Sequence, residues 1–289
     1  MTGIALVACL LGLAWTDAQI QPLALRDGVE LDGLLFLGIA ALLLAPVLGL
    51  ELTRMGRGAG LRPSALVCVA AGTLGCLSVA AAGWTETPRQ LALLLALPPL
   101  GVVGLAAIVA TRGQRVDGIG GACAFAVLAY ALIGLSLGSW VALRSATDAW
   151  TLAAVILVVK SSDIGAYFTG HAIGRHKLIP WLSPGKTWEG FLGGMALAVA
   201  VGAGVGTWGG LPAIDLQTGI ALGAVMGVVG PFGDLLESAL KRGAGMKDSG
   251  RIIPGMGGLF DVLDSLLLAG PVAWLLVSPA PPSATLTGQ

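Results

Sequence analysis

Eight stretches of roughly twenty mostly apolar residues recur along the chain, near 33–50, 64–83, 91–110, 118–141, 149–169, 189–208, 216–236 and 257–277. Wound as helices, runs of that length match a bilayer's hydrocarbon core, about 30 Å thick. Lipid offers the backbone no hydrogen bonds, so each N–H and C=O must be satisfied inside the segment, which a helix does. Composition agrees. Of 289 residues 56% are hydrophobic and 11% charged, against about 25% charged in a soluble domain. The formal net charge is zero and there is no basic tail, so a nucleic-acid partner is not expected. A shorter run, Gly3 to Trp15, reads as a ninth span rather than a cleaved signal, because no positive segment precedes it and Cys9 comes too early for a lipoprotein box. The expected fold is an all-α integral membrane protein, a polytopic bundle of about nine transmembrane helices with a polar site opening to the cytosol.

Basic residues set the orientation. Four loops hold twelve of the sixteen Lys and Arg: Arg54, Arg57 and Arg62; Arg112 and Arg115; Arg175, Lys177 and Lys186; and Lys241, Arg242, Lys247 and Arg251. They alternate with loops holding only Arg26, Arg89 and Arg144. Nine spans place the N-terminus and all four basic loops in the cytosol, with the protein in the inner, cytoplasmic membrane. The two longest such loops, 170–188 and 237–256, fall in the second half, which divides the chain into a scaffold half (1–145) and a half that carries chemistry (146–289). The four cysteines, Cys9, Cys68, Cys76 and Cys123, lie in apolar runs without a CxxC pair and read as small buried residues. The 45 glycines suit close helix packing in lipid.

Acids inside apolar runs need a reason. One span of the second half holds Lys160 and Asp163, a second ends with Asp234 and Glu237, and the last holds Asp261 and Asp264. The i, i+3 spacing places each of the last two pairs on one helix face. Five unpaired carboxylates at bilayer depth would cost on the order of 12–17 kcal/mol as an upper bound. Acids at the interface, or paired with Lys160, Lys241 or Arg242, would remove part of that. Acids on three spans of one half point instead to a hydrated metal site, since hard divalent cations take oxygen ligands and complete their shell with substrate phosphates.

The loop RHKLIPWLSPGKTWEG, Arg175 to Gly190, supplies phosphate-binding donors in Arg175, His176, Lys177 and Lys186 with Ser183 and Thr187. Its GKT is not a P-loop, because Pro180 stands where the first glycine is required and no strand leads in. His171 and His176, the only histidines, read as surface or interface residues.

The stretch SALKRGAGMKDSGRIIPGMGGLFDVLDS, Ser238 to Ser265, resembles the signature of the phosphatidate cytidylyltransferases, also called CDP-diacylglycerol synthases. SSDIGAYFTG and HKLIPWLSPGKTWEGFLGG match two further blocks of that family in order and spacing, so the resemblance covers about 155–275. Two positions depart from the family pattern: Met256 replaces its usual His, and Val262 its usual Arg.

The resemblance implies transfer of a cytidylyl group from CTP to phosphatidic acid, giving CDP-diacylglycerol and pyrophosphate. The lipid phosphate is an anion already, so the absence of a Ser/His or His/Asp constellation fits. The implied metal ligands are Asp234, Asp261 and Asp264, for Mg²⁺ with room for a second ion that could be monovalent. Asp163 and Glu237 would orient ligands, with Lys247 and Asp248 as the intact Lys-Asp pair of the motif. Lys160, Lys186, Lys241, Arg242 and Arg251 would bind phosphates, with Ser183 and Thr187 assisting. The expected partners are CTP, phosphatidic acid and membrane lipid, and a homodimer is left open. The departures at Met256 and Val262 leave room for a related CTP-dependent enzyme, a polyprenol kinase or a cytidylyltransferase for another lipid phosphate. A cation-coupled transporter is the rival from another class, opposed by the lack of an internal repeat.

Overall fold

The computed structural model describes residues 33–85, 87–112, 116–253 and 255–277, together with Gly12 and Thr16. It is an all-α polytopic membrane protein. The helices are α1 (Leu35–Gly58), α2 (Ala65–Ala80), α3 (Pro88–Thr111), α4 (Ile119–Ala146), α5 (Ala149–Ile173), α6 (Trp188–Trp208), α7 (Leu216–Gly243) and α8 (Phe260–Val277). Seven are long and apolar enough to cross a membrane. The exception, α2, has 16 residues and continues into a 3₁₀ turn, Ala81–Trp84. All eight long runs thus become helices, while the run 3–15 falls almost wholly outside the described residues. Among the described residues the strands form one hairpin, between α5 and α6, of β1 (Lys177–Ile179) and β2 (Ser183–Thr187), antiparallel with Lys177 opposite Thr187.

Polar caps mark where several helices start. Asp148 accepts from the N–H groups of Trp150 and Thr151, Asp215 from Thr218, and Thr187 from Gly190. Each satisfies donors that the first helical turn leaves open. The Thr218 N–H holds the Asp215 carboxyl below the usual carboxylate range.

Two boundaries differ from the apolar runs in a way that matters. Helix α1 continues eight residues past 50, which places Glu51 inside it, 2% exposed. Helix α8 begins only at Phe260, so Asp261 stands in its first turn and Asp264 just after it. Helix α7 has 28 residues, about 42 Å at 1.5 Å per residue, which exceeds a hydrocarbon core of about 30 Å. That length lets the polar end, with Glu237, Lys241 and Arg242, reach beyond the lipid. The acids lie toward one end of the bundle rather than at its middle, where each costs less.

Two hydrophobic cores follow the chain order. One gathers side chains of α1 to α4, and the other those of α5 to α8 with Leu143. Helix α8 serves both, with Phe260 and Leu267 in the first and Leu266, Ala269 and Ala273 in the second. Trp140 on α4 donates its indole N–H to Leu266 O (3.1 Å), fixing α8 against the N-terminal half.

Helices α5, α6 and α7 pack at small residues. A Cβ added at Gly219 on α7 would strike the carbonyl oxygen of Gly202 on α6, and the reverse is also true. Gly219→Val is therefore expected to destabilise the protein by about 1–3 kcal/mol, read as a lowered unfolding temperature in detergent. Unfolding at the wild-type temperature would show that the two backbones do not approach so closely.

Candidate active site

The ends of α1, α3, α5 and α7 and the starts of α2, α4, α6 and α8 share one face of the bundle, and the polar side chains converge just beneath it. One turn of α5 carries Lys160 and Asp163. Lys160 Nζ lies 3.1 Å from Asp163 Oδ2, 2.7 Å from Ser265 Oγ, 3.2 Å from Val262 O and 4.0 Å from Asp264 Oδ1. Ser265 Oγ also lies 2.9 Å from Asp163 Oδ2, and its N–H donates to Asp264 Oδ1 (2.7 Å). One ammonium therefore joins α5 to α8. Helix α7 closes on the same point because Gly233 lets it reach the α8 backbone: a Cβ there would come within 2.5 Å of Asp264 O. That approach brings Asp234 into electrostatic contact with both Asp163 and Asp264. From the hairpin, Lys186 Nζ reaches Asp234 Oδ2 (2.9 Å) and Pro231 O (3.0 Å).

A cavity of about 490 Å³ opens beside this cluster. Its polar lining includes Asp163, Asp234, Lys177, Lys186 and Thr187, and its aromatic lining includes Tyr167, His171 and Phe191. The volume lies within the range of ligand pockets, about 300–1,000 Å³. Tyr167 and His171 stack in parallel, one helical turn apart, with ring centroids at 6.1 Å.

A second cluster adjoins it where α7, α8 and the 244–259 loop meet. Lys241 Nζ bridges Asp261 Oδ1 (2.6 Å) and Glu237 Oε2 (2.7 Å). Asp261 Oδ2 accepts from Ser249 N–H (2.9 Å), Ser249 O–H (2.9 Å) and Gly258 N–H (2.7 Å). Gly257, at φ +97°, makes the turn that aims these donors, and a Cβ there would sit 2.5 Å from Asp261 Oδ2.

The structure thus spreads the expected ligand set over two clusters. Asp234 and Asp264 belong to the first with Asp163, whereas Asp261 belongs to the second and is engaged by donors on both oxygens. Among the described residues, no three His, Cys, Asp or Glu side chains form a ready-made metal cage. Lys160, Lys186 and Thr187 fall in the first cluster, and Glu237 and Lys241 in the second. Ser183 stands at the start of β2, opposite Ile179, and does not line the cavity. Lys247, Asp248 and Arg251 are exposed on the 244–259 loop, and exposed Arg242 donates to Met246 O (3.3 Å). His171 lines the cavity, while His176 pairs with Glu189 at 2.6 Å.

Sequence reasoning missed Glu51, Ser249 and Ser265. Glu51 carried a signal, an acid between Leu50 and Leu52 at the edge of an apolar run. The serines carried none beyond their neighbours Asp248 and Asp264.

The sequence profile of the cytidylyltransferase family matches residues 29–279. The chain belongs to this family. It is 43% identical over 132 residues to the phosphatidate cytidylyltransferase of Brucella suis, a match covering 43% of this chain and 46% of that protein. The enzyme of the same name from Mycobacterium bovis is 35% identical over 146 residues, covering 50% of this chain and 47% of its own. YnbB, an uncharacterized protein of Escherichia coli, is 34% identical over 150 residues, half of each chain. The matches span about half the length of these relatives. The profile takes in both halves of the bundle, Glu51 included.

Proposed function

We propose that the chain transfers the cytidylyl group of CTP to phosphatidic acid, forming CDP-diacylglycerol and pyrophosphate at the cytosolic face of the inner membrane. Family membership and the names borne by its relatives support this reading, and one observation carries it. Two carboxylates and two lysines line a cavity at the helix ends, where a soluble nucleotide and a lipid headgroup can meet. The basic loops on that face support its cytosolic orientation.

An oxygen of the lipid phosphate forms a bond to the α-phosphorus of CTP while the bond from that phosphorus to the β-phosphate oxygen breaks. Pyrophosphate leaves with the electron pair, and no proton has to move. The difficulty is the approach of one anion to another, which positioned positive charge relieves. Lys186 is fixed by Asp234 and Pro231 O, so its ammonium is oriented before substrate arrives. Lys177 stands on the same cavity wall, and Lys160 balances Asp163 and Asp264 underneath.

The residues fit a hard divalent cation. Oδ1 of Asp163 and Oδ1 of Asp234 are buried and accept no hydrogen bond from any described residue. Around them and the adjoining cluster, the carboxylates of Glu51, Asp163, Asp234, Glu237, Asp261 and Asp264 outnumber the ammoniums of Lys160, Lys186 and Lys241. Mg²⁺ is commonly held by one or two carboxylates with substrate phosphates completing the shell. Asp163 and Asp234, with Asp264 beside them, would hold it, and when bound it supplies the charge that offsets phosphate repulsion.

The test uses the full chain purified in detergent with phosphatidate, CTP and Mg²⁺, following pyrophosphate release and the lipid product by mass spectrometry. The expected product is a pyrophosphate-linked CDP-lipid. In a parallel reaction with a polyprenol in place of phosphatidate, CDP with a new polyprenyl monophosphate would identify a kinase instead, and no turnover of either lipid would overturn the reading.

A further inference from the structure

Glu51 lies in the half of the chain without the signature motifs, yet it is buried against the start of α8. Its Oε1 accepts from Leu259 N–H (3.0 Å) and its Oε2 from Phe260 N–H (2.8 Å), and Ser249 Oγ lies 3.1 Å from Oε2. Those two amides are among the donors that the first turn of α8 leaves open, and an anion at a helix N-terminus is also favoured by the helix dipole. A residue 208 positions away along the chain thus performs the task of an N-cap for α8. The fit is close. A Cβ at either Gly250 or Gly258 would come within 2.5 Å of Glu51 Oε1.

We infer that Glu51 is a positioning residue of the active site: by capping α8 and holding Ser249, it sets where Asp261 and Asp264 stand. The argument is geometric. Ser249 Oγ lies within hydrogen-bond distance of both Glu51 and Asp261, and its single proton serves one carboxylate at a time, so the hydroxyl couples them. Asp261 and Asp264 follow the capped amide of Phe260 by one and four residues, so a shift in the first turn carries both. Glu51 is held by α1, and α1 ends against Ala244 after α7, since a Cβ at Gly58 would come within 2.7 Å of Ala244 O. The N-terminal half therefore fixes the distance between the acids of α8 and those of α7. Glu51 is not among the residues that line the cavity and acts only through other residues.

This inference rests on the cytidylyltransferase reading, so wild-type turnover is measured first; its absence would count against that reading and not against the role of Glu51. Glu51→Gln keeps the shape but presents an NH₂ where an N–H donor already points. The full-length variant is expected to lose roughly 10- to 100-fold in kcat, with KM for CTP within about threefold. Hydrogen exchange over 256–263 should accelerate at least about tenfold as the cap is lost, with α3 unchanged. Wild-type kcat in folded Glu51→Gln would overturn the proposal. So would a loss of activity matched by an equal loss of folded protein at unchanged turnover per folded molecule. Should Glu51→Gln fail to fold, exchange in the wild-type protein decides: protected amides at Leu259 and Phe260 support the cap, and free exchange there refutes it.

Discussion

Asp264→Asn is expected to lower turnover by at least ~10³-fold, equivalent to about 4 kcal/mol of transition-state stabilisation. The substitution is nearly isosteric. Asparagine can still accept the Ser265 N–H through its side-chain oxygen, so the first turns of α8 should keep their shape. What changes is charge. Asp264 stands in electrostatic contact with Asp163 and Asp234 and 4.0 Å from Lys160. Neutralising it removes part of the negative field that would hold a divalent cation beside the cavity. The loss should fall on kcat, and the Mg²⁺ concentration for half-maximal activity should rise. Pyrophosphate release across a Mg²⁺ titration checks both. Full activity in the variant, or full wild-type activity in excess chelator, would remove the metal from the proposed mechanism.

The fold was legible because hydropathy and helix length obey one constraint, the thickness of the bilayer. All eight long apolar runs became helices, and their errors lie at the ends, where polar side chains decide. Residues 257–259 read as apolar, yet they form the turn with Gly257 at φ +97° that delivers donors to Asp261. The end of α1 was placed too early because Glu51 looks like the start of a loop. Its partners are backbone amides far along the chain, and nothing local reveals them. The hairpin at 177–187 was hidden for a related reason: its strands are short and carry no alternation of apolar side chains, and Lys186 ties it to α7 through a tertiary contact.

The acids divided along the same line. Their presence in membrane helices signalled a polar centre, and the spacing placed Asp261 and Asp264 on one face of α8. Which carboxylates share a neighbour depends on how three helices cross, and sequence does not state that. Lys160 draws Asp163 and Asp264 together, whereas Lys241 draws Asp261 to Glu237. The division has a physical logic. Asp261, with donors on both oxygens, is suited to hold the loop and α8 in register. Asp163 and Asp234, like Glu237 of the second cluster, each keep a buried oxygen to which no described residue donates, but only Asp163 and Asp234 line the cavity.

Lys186→Met should be the next most damaging change, with turnover falling roughly 10²- to 10³-fold, the usual loss for a preorganised donor aimed at developing charge. Methionine preserves the length of the side chain and the packing of β2, but leaves Asp234 without its 2.9 Å partner and beside Asp163 and Asp264. Two roles are then separable. If Lys186 only staples the hairpin to α7, the variant loses stability while each folded molecule turns over normally, and Asp234→Asn in the same chain restores stability by removing the stranded charge. If Lys186 also binds a phosphate of CTP, turnover per folded molecule falls in Lys186→Met itself, and KM for CTP rises along with the fall in kcat. A double-mutant cycle on these two positions read in unfolding temperature, with kcat/KM per folded molecule measured in Lys186→Met alone, distinguishes the outcomes. Normal kcat/KM in folded Lys186→Met would show that the cavity beside Asp234 is not where the nucleotide's phosphates lie.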